Sequence, residues 1–79
     1  MRSDILFFGP LADLFGRTRS VDLPEAGCTP AELRRLLGDE DGALRRPGIR
    51  IAIDQVVAGE DARILPGQEI AFLSPLSGG

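Results

Sequence analysis

Apolar and polar positions along the chain fall into short blocks separated by turn residues. Ser3–Phe8 is dense in Ile, Leu and Phe and stops at Gly9-Pro10. It reads as a strand with both faces largely apolar, which predicts a central place in a sheet. Leu11, Leu14 and Phe15 follow at i, i+3, i+4 spacing before Gly16, which predicts one short helix. Arg19, Val21 and Leu23 alternate with polar neighbours, so Thr18–Leu23 reads as a second strand.

Thr29-Pro30-Ala31-Glu32 carries the strongest local signal. Thr29 can cap, Pro30 suits the first helical position, and Glu32 sits where a capping box places its carboxylate. Leu33, Leu36 and Leu37 then predict an apolar stripe, ended by Gly38. The polar stretch Gly38–Gly48 reads as a loop with a helical turn near Ala43–Arg46. Ile49, Ile51 and Ile53 alternate as a third strand, Asp54-Gln55 makes a tight turn, and Val56–Ala58 is a short fourth strand. Ile64 and Leu65 precede the turn dipeptide Pro66-Gly67, and Glu69–Leu73 is the last strand. Strands on both sides of one main helix predict an α+β fold: a mixed sheet of about five strands with that helix on one face. The first and last strands, both apolar, belong side by side at its centre.

Composition narrows the chemistry. Seventy-nine residues make one domain with a modest core. There is no histidine, one cysteine (Cys28), and every one of the nine basic residues is arginine. Ser-His-Asp and Cys-His nucleophiles, lysine Schiff bases and an internal disulfide are therefore excluded, and a metal site would need carboxylates alone. That favours a carrier or binding module over a self-sufficient enzyme. A net charge of -3 without a dense basic run argues against a nucleic-acid partner. The uninterrupted apolar runs, Ile5–Phe8 for one, are far too short to span a bilayer, and no signal-peptide-like segment is visible. Cytoplasmic residence is the simplest expectation.

The chain ends Ser74-Pro75-Leu76-Ser77-Gly78-Gly79. At this chain's glycine content, a Gly-Gly terminus arises by chance about 2% of the time. The bland reading is a frayed end. The sharp reading makes the Gly79 α-carboxylate the working group. Gly78 and Gly79 carry no Cβ and can thread a narrow channel, and six extended residues reach about 20 Å at roughly 3.3 Å each. A carboxylate with a pKa of about 3.3–3.7 is an anion at neutral pH and repels nucleophiles. It must be activated first, for example by adenylation, which implies a partner that uses ATP.

Ile5-Leu6-Phe7-Phe8 with Leu11-Ala12-Asp13-Leu14-Phe15-Gly16, and the ending Ala71-Phe72-Leu73-Ser74-Pro75-Leu76-Ser77-Gly78-Gly79, resemble the small subunit of molybdopterin synthase. The resemblance covers nearly the whole chain. It implies a ubiquitin-like β-grasp domain over residues 1–73 and a flexible tail over 74–79. It further implies adenylation of Gly79 by an E1-like enzyme and conversion to a thiocarboxylate. Insertion into a synthase large subunit within a heterotetramer follows, with sulfur donation to cyclic pyranopterin monophosphate. The chain would then be a non-catalytic cosubstrate that binds no cofactor itself. The Gly-Gly tail is shared with carriers for thiamine thiazole synthesis and with protein modifiers. Both remain alternatives, as does an interaction module with an inert tail. Ser74 stands where a second Pro is frequent, and Asp54 near a frequent Asn.

Strand parity puts Phe8, Val57 and Leu73 on the face away from the main helix if Phe7 and Phe72 point inward. With Pro75 and Leu76 they are the expected partner surface, unless the Leu11–Phe15 helix covers part of it. Cys28, just before a helix start, is expected to be a packed filler, with a sulfur relay as the alternative. Arg45, Arg46 and Arg50 are expected to be a solvated set beside Asp39–Asp41, a docking role being the alternative. Asp39-Glu40-Asp41-Gly42 lacks the ligand spacing of a calcium loop.

Overall fold

The computed structural model describes residues 2–74. Among them the chain forms β1 (Arg2–Phe7), α1 (Leu11–Phe15), β2 (Thr18–Asp22), α2 (Pro30–Leu36), a 3-10 turn (Ala43–Arg45), β3 (Arg50–Ile53), β4 (Val56–Ala58) and β5 (Ile70–Leu73). The strands line up as β2-β1-β5-β3-β4. β1 and β5 run parallel, and the other neighbours are antiparallel. The first and last strands therefore lie side by side in the middle, as expected, and the arrangement is that of a β-grasp sheet.

α2 starts where its sequence dictates. Thr29 Oγ1 accepts the Glu32 amide at 3.2 Å, and Glu32 Oε1 accepts the Thr29 amide at 2.8 Å. This reciprocal pair satisfies donors that a first turn leaves open. The same hydrogen bonds hold the Glu32 carboxyl below its usual range. At the far end, Arg19 Nη1 on β2 donates to the Leu37 carbonyl at 3.2 Å.

The buried stripe of the helix differs from the expected one. Pro30, Leu33, Arg34 and Leu37 are buried, whereas Leu36 is 48% exposed. At roughly 100° per residue, Leu36 points about 110° away from the mean direction of that stripe. Arg34 takes the place by lying along apolar surface with its head paired. Its Nη1 donates to Glu60 Oε2 at 3.2 Å and its Nη2 to Glu60 Oε1, while its buried Nε finds no acceptor among the described residues.

That hydrogen bonding, with the Arg34 charge, lowers the Glu60 carboxyl below its ordinary 4.5. A carboxyl depressed in the folded state contributes stability above its unfolded pKa and loses it as pH falls through the folded value. Stability is therefore expected to decline as pH drops below about 4.5, with Glu32 acting in the same direction. Urea midpoints measured from neutral pH into acid should fall less steeply in Glu60→Gln. An unchanged acid slope would remove the pair from this role.

The core joins Ile5, Phe7, Leu33, Leu37, Ile51, Ile64, Ile70 and Phe72 between the sheet and α2. Phe7 stacks on Phe72 at 5.7 Å and on Phe15 at 4.9 Å between ring centroids. α1 thus contributes to the same face as α2. Its Leu11 is buried, but Leu14, expected on the apolar side, is 62% exposed. β1 is also less symmetric than expected. Ser3, Ile5 and Phe7 are buried, Arg2 and Asp4 are exposed, and Leu6 is half-buried, so only one face is covered. Asp54 and Gln55, with φ of 51° and 71°, form the tight turn between β3 and β4. Both sit in the left-handed region that such two-residue hairpins require. Asp54 Oδ1 also accepts the Glu69 amide at 2.9 Å, which ties this turn to the entry of β5.

Candidate functional site

The site is the end of the sheet where β5 runs out. β5 is the middle strand, and Phe72 is matched with Phe7 on one side and Ile51 on the other. One residue later, Leu73 lies opposite Arg50. The parallel ladder continues past β1, because the Phe8 amide donates to the Phe72 carbonyl at 3.1 Å. Ser74 Oγ donates to the Phe8 carbonyl at 3.4 Å. The departure of the chain from the sheet is thereby fixed by two hydrogen bonds to the Phe8 backbone. Gly9, at φ +63°, makes room for it, since a Cβ there would come within 2.5 Å of Ser74 Oγ.

Of the expected site residues, Pro75, Leu76, Gly78 and Gly79 lie outside the described residues. The other three belong to one side of the sheet. The registers align Thr18, Leu6, Ala71, Ala52 and Val57 across all five strands, on the face opposite Phe7 and Phe72. Leu73 is on that same face and half-buried, Val57 is 59% exposed, and Phe8, just past β1, is 49% exposed. Helix α1 packs Leu11 and Phe15 on the opposite side, while its Ala12 and Asp13 border a groove with Leu6 and Phe8, which leaves Phe8 half exposed. The structure therefore leaves an apolar surface beside Ser74, the last described residue.

The remaining candidates resolve into scaffold. Cys28 is 2% exposed and is bridged to Ile64, its amide donating to the Ile64 carbonyl at 2.9 Å. Burial, reinforced by the Glu32 charge, pushes its thiol up, which is the opposite of what a relay nucleophile needs. Asp39 turns inward. Its two carboxylate oxygens accept the Ala43 amide at 2.9 Å and the Leu44 amide at 3.0 Å, closing the 3-10 turn. Arg45 and Arg46 are exposed next to that turn, whereas Arg50 stands apart from them on β3 beside Leu73. No group of three or more His, Cys, Asp or Glu side chains among the described residues could hold a metal ion. No helix among them is long and apolar enough to cross a membrane. Sequence reasoning missed Arg34–Glu60 and Arg19–Leu37, which join positions 26 and 18 apart.

Among the described residues the body offers an exposed apolar face next to Ser74. Comparison with known proteins bears on the fold and the family. The fold matches SAMP1 from Haloferax volcanii with a TM-score of 0.79, at 23% identity over 100% of both chains. A protein described as molybdopterin converting factor subunit 1 from Pyrococcus furiosus matches at 0.74, with 15% identity over 95% of this chain and 98% of that one. The complex of molybdopterin-converting factor subunits 1 and 2 from Helicobacter pylori matches at 0.64, with 23% identity over 100% of both. No curated protein sequence matches the chain. At these identities the structures speak to the fold, a ubiquitin-like β-grasp, and the family assignment rests on sequence. The ThiS family model matches residues 5–79, from β1 through the terminal glycine, so the chain belongs to the ThiS family of sulfur carriers.

Proposed function

We propose that this chain is the sulfur carrier of a molybdopterin synthase, its Gly79 carboxylate being the atom group that is charged and discharged. The observation that carries the reading is the continuity of the family match from the Phe7-Phe8 opening to Gly79, with β5 delivering the tail beside an uncovered apolar face. The Gly79 carboxylate attacks the α-phosphate of ATP on an E1-like partner, and pyrophosphate leaves. A sulfur donor then displaces AMP, giving the thiocarboxylate. The charged tail enters a large subunit and donates sulfur to cyclic pyranopterin monophosphate, and two such transfers complete the dithiolene. Adenylation is needed because the free carboxylate repels nucleophiles. The catalytic groups belong to the partners, since this chain has no histidine or lysine and buries its one thiol.

Phe8, Leu73 and Val57 form the docking surface in this reading, and the Helicobacter pylori complex of subunits 1 and 2 is a precedent for such a pairing. The exposed apolar side chains at the tail's base would be covered on binding, with a polar rim of Arg50 and Thr18. Leu73→Glu is expected to weaken large-subunit binding by at least about tenfold, because it places a charge in a desolvated contact. Isothermal calorimetry checks this, and unchanged affinity would detach the open face from docking. The reading as a whole is tested by reconstitution. The thiocarboxylated chain is mixed with a molybdopterin synthase large subunit and cyclic pyranopterin monophosphate, in parallel with a thiazole-forming system. Dithiolene formation in the first supports it, and sulfur transfer only in the second assigns the thiamine pathway instead.

A further inference from the structure

An activated acyl end attacks whatever nucleophile it meets first, and the nearest surface is its own. We propose that this carrier is built so that its charged end cannot acylate its own chain, and that Arg50 is the position where this protection matters most. The inference rests on the reading that Gly79 becomes activated. It starts from what the surface lacks. There is no lysine and no histidine, and the sole thiol is 2% exposed. Arginine keeps its proton at any accessible pH and is not a nucleophile. Serine and threonine hydroxyls are weak nucleophiles without a strong base beside them, and the one paired with a carboxylate, Ser20 donating to Asp4 Oδ1 at 2.6 Å, lies toward the Arg2 end of the sheet, away from Leu73.

Topology also separates the tail from the far end of the sheet. β1 and β5 run parallel, with Phe7 level with Phe72. Arg2 therefore lies at the opposite end of the sheet from Leu73, about six residues or 20 Å away at roughly 3.3 Å each. The five residues after Ser74 span at most about 17 Å when fully extended. Run straight back along the sheet, they would still fall short of Arg2.

Arg50 is placed differently. It pairs in register with Leu73, is exposed, and belongs to the same sheet face. Cross-strand neighbours are about 5 Å apart, so a primary amine at position 50 would stand within easy reach of a returning tail. Its lone pair would attack the Gly79 carbonyl carbon. A C–N bond would form, the bond to the leaving group would break, and the ammonium proton would pass to solvent. The charged carrier would close into a dead amide ring. Arginine keeps the positive charge at this position without offering that nucleophile. Two consequences follow: every acceptor must come from a partner, and the chain cannot link to further copies through its own side chains.

The test uses the full chain bearing a chemically prepared Gly79 thioester, so no activating enzyme is involved. Wild type, Arg50→Lys and Arg2→Lys are incubated in mildly alkaline buffer and followed by intact mass and peptide mapping. Arg2 lies on the same face and carries the same charge at the far end of the sheet. Wild type and Arg2→Lys should hydrolyse to the free acid. Arg50→Lys should lose its thioester at least about tenfold faster, giving a monomer about 18 Da lighter than the acid and linked through position 50. Side-chain-linked amides in the wild type would overturn the proposal. So would hydrolysis alone in Arg50→Lys, or equal ring closure in Arg2→Lys. Failure of ATP-dependent charging in a separate assay would strike the functional reading instead and leave this result unaffected.

Discussion

Deleting Gly79 should abolish sulfur transfer while moving the melting temperature by no more than about 1 °C. The core cluster runs from Ile5 to Phe72 and closes without the terminus. The sheet, the capping box of α2 and the Arg34–Glu60 pair are all complete within residues 2–74. Stability therefore has no reason to change. Chemistry does, because the carboxyl is withdrawn by one residue, about 3.3 Å. Misplacing a reacting group by about 1 Å can already cost around 100-fold in rate. Transfer should drop by more than that in an assay with activating enzyme, sulfur source and acceptor. Retained transfer with a normal melting curve would mean that the acyl end is not the working group.

Phe72→Ala should do the reverse, destabilising the domain by about 3–5 kcal/mol. Phe72 is 1% exposed, on the middle strand, and its ring stacks on Phe7, which stacks on Phe15. Truncation leaves a cavity bordered by strands on both sides, where collapse is difficult. A domain of this size holds only about 4–12 kcal/mol in total, at 0.05–0.15 per residue. The melting temperature should fall by at least about 12 °C. Because Phe72 also sets the register that releases Leu73 and Ser74 at the Phe8 backbone, partner binding should weaken even where the variant remains folded. A shift of only a few degrees would show that the aromatic stack is not the centre of the core.

Local signals in the sequence translated directly into structure. Thr29, Pro30 and Glu32 predict a helix start whose two hydrogen bonds are both present, since capping involves residues three apart. Asp54-Gln55 predicts a tight turn for the same reason. The central pairing of the first and last strands rests partly on analogy with the fold the chain resembles; apolar content alone does not give it, because the edge strand Val56–Ala58 is wholly apolar too. What escaped sequence reasoning depends on contacts between distant segments. Leu36 is apolar and at helical spacing, yet it faces outward because Arg34, neutralised by Glu60, occupies the inward direction. The single covered face of β1 was hidden because Leu6 and Phe8 are as apolar as Ile5 and Phe7. That second apolar side is the surface proposed for docking, where burial would come from a partner and not from this chain. The contribution of Ser74 and Gly9 to the tail's exit could not be seen, because it joins positions 65 apart.

The most direct test of the carrier reading weighs the intact chain before and after incubation with ATP, an E1-like activating enzyme and a sulfide donor. Replacement of one oxygen by sulfur should add about 16 Da, and fragmentation should place the increment on Gly79. An unchanged mass, or an increment mapped to Cys28 or any other residue, would contradict it.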